Sequence, residues 1–158
     1  MDCINSFEEL KHLKRKGEYE LSCDIDCRGE TVKCLLGDFS GKLFGNGHTI
    51  SNFVLSDEIW GDEQSLALFY STARAVIQDV IFEKITLSYD RTCYHPRVAA
   101  LVANCSNSTV KNVVVKIDSC DESIPLIYEA TDCTIEDVAF SINGTVGAIT
   151  KYNNSEEI

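Results

Sequence analysis

Internal self-similarity constrains this chain more than any other feature. Four segments share one pattern of aliphatic, polar, Asn or Asp, apolar, variable, apolar. They are Ile50-Ser51-Asn52-Phe53-Val54-Leu55, Ile77-Gln78-Asp79-Val80-Ile81-Phe82, Val110-Lys111-Asn112-Val113-Val114-Val115 and Ile135-Glu136-Asp137-Val138-Ala139-Phe140. The Asn/Asp positions are 52, 79, 112 and 137, in steps of 27, 33 and 25. A second motif precedes three of these segments. Ala67-Leu68-Phe69-Tyr70, Ala100-Leu101-Val102-Ala103 and Pro125-Leu126-Ile127-Tyr128 align, and Phe69, Val102 and Ile127 each stand eight residues before Ile77, Val110 and Ile135. A further copy, Gly147-Ala148-Ile149-Thr150, comes near the end. The repeat is two short strands, a fixed turn, then a loop of variable length at 56–65, 88–97 and 118–123.

A period near 25 with one variable corner is the signature of a β-solenoid. A unit this small cannot bury a core alone. Stacked units hydrogen-bond in parallel at about 4.8 Å and bury one continuous core. With 158 residues, 44% of them hydrophobic, the chain holds enough material for one such domain. Ile50, Ile77, Val110 and Ile135 are expected in one inward column, and Asn52, Asp79, Asn112 and Asp137 in a second. The second column reads as a turn ladder, since Asn and Asp tolerate left-handed backbone, in preference to a carboxylate site.

A solenoid needs lids over its open apolar ends. Residues 6–16 carry a capping box, Ser6 with Glu9, and an apolar face from Phe7, Leu10 and Leu13. The basic run Lys14-Arg15-Lys16 suits a helix C-terminus, and Gly17 stops the helix. The expected organisation is a capping segment and helix over 1–17, with the helix at 7–16, the stack over 18–150, and a polar tail over 151–158.

Several segments resemble right-handed parallel β-helix proteins of the pectin-lyase-like type. The opening Ile4-Asn5-Ser6-Phe7-Glu8-Glu9-Leu10, then Tyr19-Glu20-Leu21 and Asp24-Ile25-Asp26, looks like the start of many of them. Phe39-Ser40-Gly41-Lys42-Leu43-Phe44-Gly45-Asn46-Gly47-His48-Thr49-Ile50-Ser51-Asn52 is similar to their F-x-G-x-x-x-G-x-G-H-x-I-x-N segment. The recurring Leu-Phe followed by Ile-x-Asp-Val is similar to the GLUG-type repeat. The resemblance covers residues 4–150. It implies an all-β, right-handed parallel β-helix of about five coils with an N-terminal capping helix, a body roughly 25 Å long. Members range from adhesin passenger modules to polysaccharide lyases and glycosidases, so the likeness speaks to fold more than to function.

Chemistry is sparse. A glycan-cleaving β-helix needs clustered carboxylates, or Ca²⁺ with a basic residue, in an exposed groove; an acid–base pair would stand about 5–9.5 Å apart. Asp24 and Asp26, at i and i+2 on one strand face, are the candidates, weighed as structural before catalytic. His48 reads as a structural hydrogen-bonding residue, and His12 and His95 fall in the cap and in a loop. No P-loop, dinucleotide fingerprint, nucleophile elbow or HExxH occurs. The expected protein is not an enzyme, with no cofactor and no metal.

The eight cysteines, at 3, 23, 27, 34, 93, 105, 120 and 133, are expected as reduced thiols. No basic n-region with an apolar run opens the chain, and no segment approaches the ~18 apolar residues of a membrane span. The expected location is therefore cytoplasmic, where thiols stay reduced. Cys23-x-x-x-Cys27 lacks a second metal-spaced pair. Cys105 and Cys133, just before apolar strands, read as small core residues. Four Asn-x-Ser/Thr sequons, at Asn104, Asn107, Asn143 and Asn153, carry little weight in Asn-rich turns.

Charge supplies the functional expectation. Fourteen basic residues against 25 acidic give −11, with a pI near 4.6. Direct nucleic-acid or anionic-membrane binding would need the opposite sign. Residues 1–16 hold four basic and three acidic side chains, and residues 17–158 ten and twenty-two, so stack and tail together carry −12. Asp57, Glu58, Asp62 and Glu63 flank Trp60 in one variable loop, and Asp118, Asp121 and Glu122 follow two units later. These eight residues are the expected partner-binding site: a ridge of acids with an aromatic anchor. A solvated, edge-protecting surface is the alternative. The expected partner is a protein with a basic surface, such as a nucleic-acid-handling effector, and the oligomeric state is left open. By analogy with acidic solenoids and with anti-CRISPR-like DNA mimics of phages and mobile elements, the expected role is inhibition. The runner-up is an adhesin or carbohydrate-active module acting on a glycan.

Overall fold

The computed structural model describes residues 1–56, 65–88, 97–120 and 122–154. The chain is all-β with parallel sheets. Its elements in order are β1 (Asp2–Ile4), α1 (Phe7–Leu10), β2 (Glu18–Leu21), β3 (Ile25–Val32), β4 (Leu36–Phe39), β5 (Lys42–Phe44), β6 (Thr49–Ser56), β7 (Ser65–Leu66), β8 (Phe69–Ala73) and β9 (Val76–Ser88). They continue as β10 (Arg97–Val98), β11 (Val102–Ser106), β12 (Thr109–Ser119), β13 (Ile127–Thr131), β14 (Thr134–Ile142), β15 (Thr145–Val146) and β16 (Thr150–Asn153). One sheet runs β4-β8-β11-β13-β16, and a larger one carries β9, β12 and β14 side by side. The long β9 pairs β5 through Val76–Gln78 and β6 through Ile81–Ser88, so two short strands of one pass face a single strand of the next.

The register follows from the fixed two-residue link between the sheets. Arg74, Asn107 and Asp132 occupy equivalent links and take φ of 57°, 49° and 55°. One left-handed residue turns the strand sharply, and Asn and Asp adopt that conformation at least cost. Arg74 N–H donates to Ser106 O at 3.1 Å and Asn107 N–H to Thr131 O at 2.9 Å, so the corners themselves stack. Phe69, Val102 and Ile127 are mutual register partners, as their equal spacing from the next motif implies.

Ile77, Val110 and Ile135 also share a column, but its next member is Leu43 and not Ile50. Ile50 pairs with Phe82, in a column with Ile25, Val115 and Phe140. Both columns point inward: Leu43, Ile50, Ile77 and Phe82 are fully buried. The turn ladder is corrected in the same way. Asp79, Asn112 and Asp137 are aligned, and Asn112 Nδ2 donates to Asp79 Oδ1 at 2.8 Å. Asn46 fills the fourth place, because Gly45 N–H and Gly47 N–H donate to Gln78 O and Asp79 O, both at 2.8 Å. Asn52 lies at another corner, facing Lys84 and donating to Asp26 Oδ1 at 3.0 Å. β9 holds both corners, Asp79 and Lys84, and the preceding pass holds Asn46 and Asn52; Asn52 belongs to the second corner.

Two end elements differ from expectation. The capping box forms, with Glu9 N–H donating to Ser6 Oγ at 3.2 Å, yet the helix spans only Phe7–Leu10 and not 7–16. Lys14 N–H, which a longer helix would give to Leu10 O, donates instead to Tyr19 Oη at 2.7 Å, and beyond it Ser40 N–H and Lys42 N–H donate to the carbonyls of Arg15 and Gly17 at 2.7 and 3.0 Å. Leu10 and Leu13 still enter the core. At the other end, residues of the expected tail belong to β16, and Ile127 faces Thr150 and not Ile149. The Asn143-Gly144 hairpin, φ 52° and 78°, folds β15 back on β14 and shifts the returning chain by one residue.

Candidate interaction surface

Three variable loops leave the larger sheet at neighbouring points. β6 and β9 end in register at Ser56 and Ser88, and β12 ends beside them, Ser119 against Thr86. The first two loops also return in register, Ser65 with Arg97 and Leu66 with Val98. Parallel pairing on both sides confines the loop ends to one edge of the molecule.

Of the eight candidate residues, Asp57, Glu58, Trp60, Asp62, Glu63 and Asp121 lie outside the described residues. Asp118 and Glu122 are described and exposed, on either side of Cys120. The Asn143 side chain pins this third loop. Its Nδ2 donates to Cys120 O at 2.8 Å, and its Oδ1 accepts from Cys120 N–H at 3.2 Å. The structure thus holds the third loop at the same edge from which the first departs.

Asp24 meets His48, and Asp26 meets Asn52 on the same pair of strands. Asp24 Oδ1 accepts from Thr49 N–H at 2.9 Å and lies 3.2 Å from His48 Nδ1. Asp26 Oδ1 accepts from Arg28 N–H at 2.9 Å and from Asn52 Nδ2 at 3.0 Å. The Thr49 amide, then His48, holds the Asp24 carboxyl below the usual carboxylate range, and the Arg28 amide, then Asn52, does the same for Asp26. A general acid needs the opposite shift. The arrangement ties neighbouring strands together.

A pH dependence follows from these two carboxyls. Their folded pKa values lie below the unfolded ones, so their stabilisation is full above the unfolded value of about 3.9 and is lost as pH falls through the folded values. The thermal midpoint of the native protein should therefore drop more between about pH 5 and about pH 2 than that of the Asp24→Asn, Asp26→Asn variant. Equal drops would remove both carboxylates from the stability account.

One feature escaped the sequence reading. A shallow recess of ≈ 420 Å³ lies among Arg97, Tyr128, Glu129, Tyr152 and Asn154. The two tyrosine rings meet edge to face at 5.5 Å, and Lys151 Nζ sits 5.2 and 5.6 Å from their centroids. Its signal was the aromatic after the second motif's core position, Tyr70 and Tyr128. Among the described residues, no group of three or more His, Cys, Asp or Glu is placed to hold a metal ion. Among them too, no helix is long and apolar enough to cross a membrane. No protein-family model, curated protein or solved structure matches the chain.

Proposed function

We propose that this chain is a right-handed parallel β-helix of about five coils, with its N-terminal segment as a lid, that acts without catalysis by binding a basic protein. The in-register departure of the loops at Ser56, Ser88 and Ser119 carries the reading. It supports a single edge shared by the acids of the first and third loops, with Asp90, Arg91 and Arg97 belonging to the loop between them. The handedness rests on the strong preference of parallel crossover connections. The charge of −12 over residues 17–158 supplies the force. Carboxylates facing Lys and Arg speed encounter and make binding salt-sensitive, and Trp60 supplies a desolvated anchor. A partner groove built for nucleic acid fits such a rod, which makes a DNA-mimic inhibitor of the anti-CRISPR kind the role favoured.

Reversal of Asp57, Glu58, Asp62 and Glu63 to Lys tests this directly. The variant should fold, since loop charges contribute little to the core. Affinity capture from host lysate at low and high salt should recover a basic protein with the native chain only, and less of it at high salt. Equal recovery by both chains would remove the acidic edge from the mechanism. Recovery of a glycan would favour the adhesin or carbohydrate-active alternative.

A further inference from the structure

We infer that Cys105 and Cys133 form an oxidation site, a dithiol that closes to a disulfide on meeting hydrogen peroxide. The two sulfurs lie 3.1 Å apart although the residues are 28 apart in sequence. Cys105 is fully buried near the end of β11, in register with Thr72 on one side and Ala130 on the other. Cys133 is half-buried in the two-residue link from β13 to β14. Cys133 is thus the more accessible residue of the two and Cys105 the shielded one, the layout of a reacting thiol with a resolving one. Bond formation needs the sulfurs to approach by about 1 Å. The surroundings suit that order. The Cys105 S–H, with help from the Ser108 main chain, stabilises Cys133 in its ionised form and lowers its pKa. The same contact, with burial, raises that of Cys105. The Thr72 hydroxyl beside Cys105 is buried and makes no hydrogen bond of ordinary length, so its dipole is available to the neighbouring sulfur.

The chemistry balances without a cofactor. The Cys133 thiolate attacks one peroxide oxygen, the O–O bond breaks, and the leaving hydroxide takes a proton to become water. Cys133 is then a sulfenic acid. The Cys105 thiol gives up its proton as its sulfur attacks Cys133 Sγ; the S–O bond breaks, and the departing hydroxide takes that proton to form a second water. Two thiols lose two electrons, and the peroxide gains them. The new bond ties β11 to the start of β14. Among the described residues, β14 has β12 along its length on one side and, on the other, only β15 at Ser141–Ile142. A covalent tie at Cys133 would hold the start of this strand to β11 of the five-stranded sheet.

The test is peroxide treatment of the intact protein, alkylation, and non-reducing peptide mapping. The expected product is the Cys105 peptide joined to the Cys133 peptide, reversed by dithiothreitol. Oxidation should also raise the unfolding midpoint by roughly 5–10 °C. Cys133→Ser should lose both responses. Cys105→Ala, which keeps a small apolar group in the core, should leave Cys133 as a sulfenic acid trapped by dimedone. The inference is overturned if native Cys133 proceeds to sulfinic acid while Cys105 remains alkylatable. It is equally overturned if peroxide links other cysteines and leaves these two as thiols.

Discussion

Replacing Ile77 by Asp should cost about 5 kcal/mol or more, enough to leave a typical domain largely unfolded. Ile77 has no exposed surface, and its register partners Leu43 and Val110 are equally buried. A carboxylate there loses the burial of a large aliphatic side chain, about 2–3 kcal/mol. It also leaves a buried polar group unpaired, at about 2–7 kcal/mol even after the carboxyl takes up a proton. No polar side chain of the column can answer it. Thr86→Asp adds the same charge to the same strand at an exposed site and should change stability by less than about 0.5 kcal/mol. Denaturant titration of both variants decides the matter. An Ile77→Asp midpoint close to the native one would place that side chain outside the core.

Gly45→Ala should be the more damaging of two neighbouring alanine substitutions. A Cβ at position 45 would meet Asp79 O and stand 2.5 Å from Val80 Cβ and 2.6 Å from Val80 Cα. The obstacles are backbone and a buried branched residue, so relief requires β9 to move. That movement also strains the hydrogen bonds from Gly45 and Gly47 to Gln78 and Asp79. The expected loss is about 3 kcal/mol or more. Gly47 has φ +81° but open space around it, so alanine there meets only the left-handed backbone penalty, about 1–2 kcal/mol. Unfolding midpoints ranking Gly47→Ala as the worse variant would show that β5 and β9 are not packed this closely at the corner.

These two sites also show what a sequence can reveal of such a fold. The link after β8, β11 and β13 is two residues long in every pass, so its eight-residue spacing is visible by inspection. The corners within the larger sheet are harder. Ile77-Gln78-Asp79-Val80 and Phe82-Glu83-Lys84-Ile85 have the same pattern five residues apart, and Ile50-Ser51-Asn52-Phe53 fits both. Backbone at Gly45 and Gly47, bonded to Gln78 and Asp79, decides for the second. The helix shows a related ambiguity. Ser6 and Glu9 mark its start, but the Lys14 amide, which a longer helix needs, goes to the Tyr19 hydroxyl, a partner that helix signals do not reveal. The register of β11 and β13 follows from the spacing, but the 3.1 Å approach of Cys105 and Cys133 depends on side-chain packing at the corner, which spacing does not supply. For the candidate surface, the sequence identifies the acids and the loop that holds them. That the loops leave from one edge becomes visible only when Ser56, Ser88 and Thr86 with Ser119 are seen in adjacent strands.

The acidic edge is tested most directly by hydrogen exchange of the native chain alone and with its captured partner. The expected result is slowed exchange in peptides covering 56–65 and 117–124, lost in high salt, with no change in β4, β8, β11, β13 and β16. Slowed exchange confined to those five strands, or to the recess of Arg97, Tyr128 and Tyr152, with the acidic loops unchanged, would contradict it.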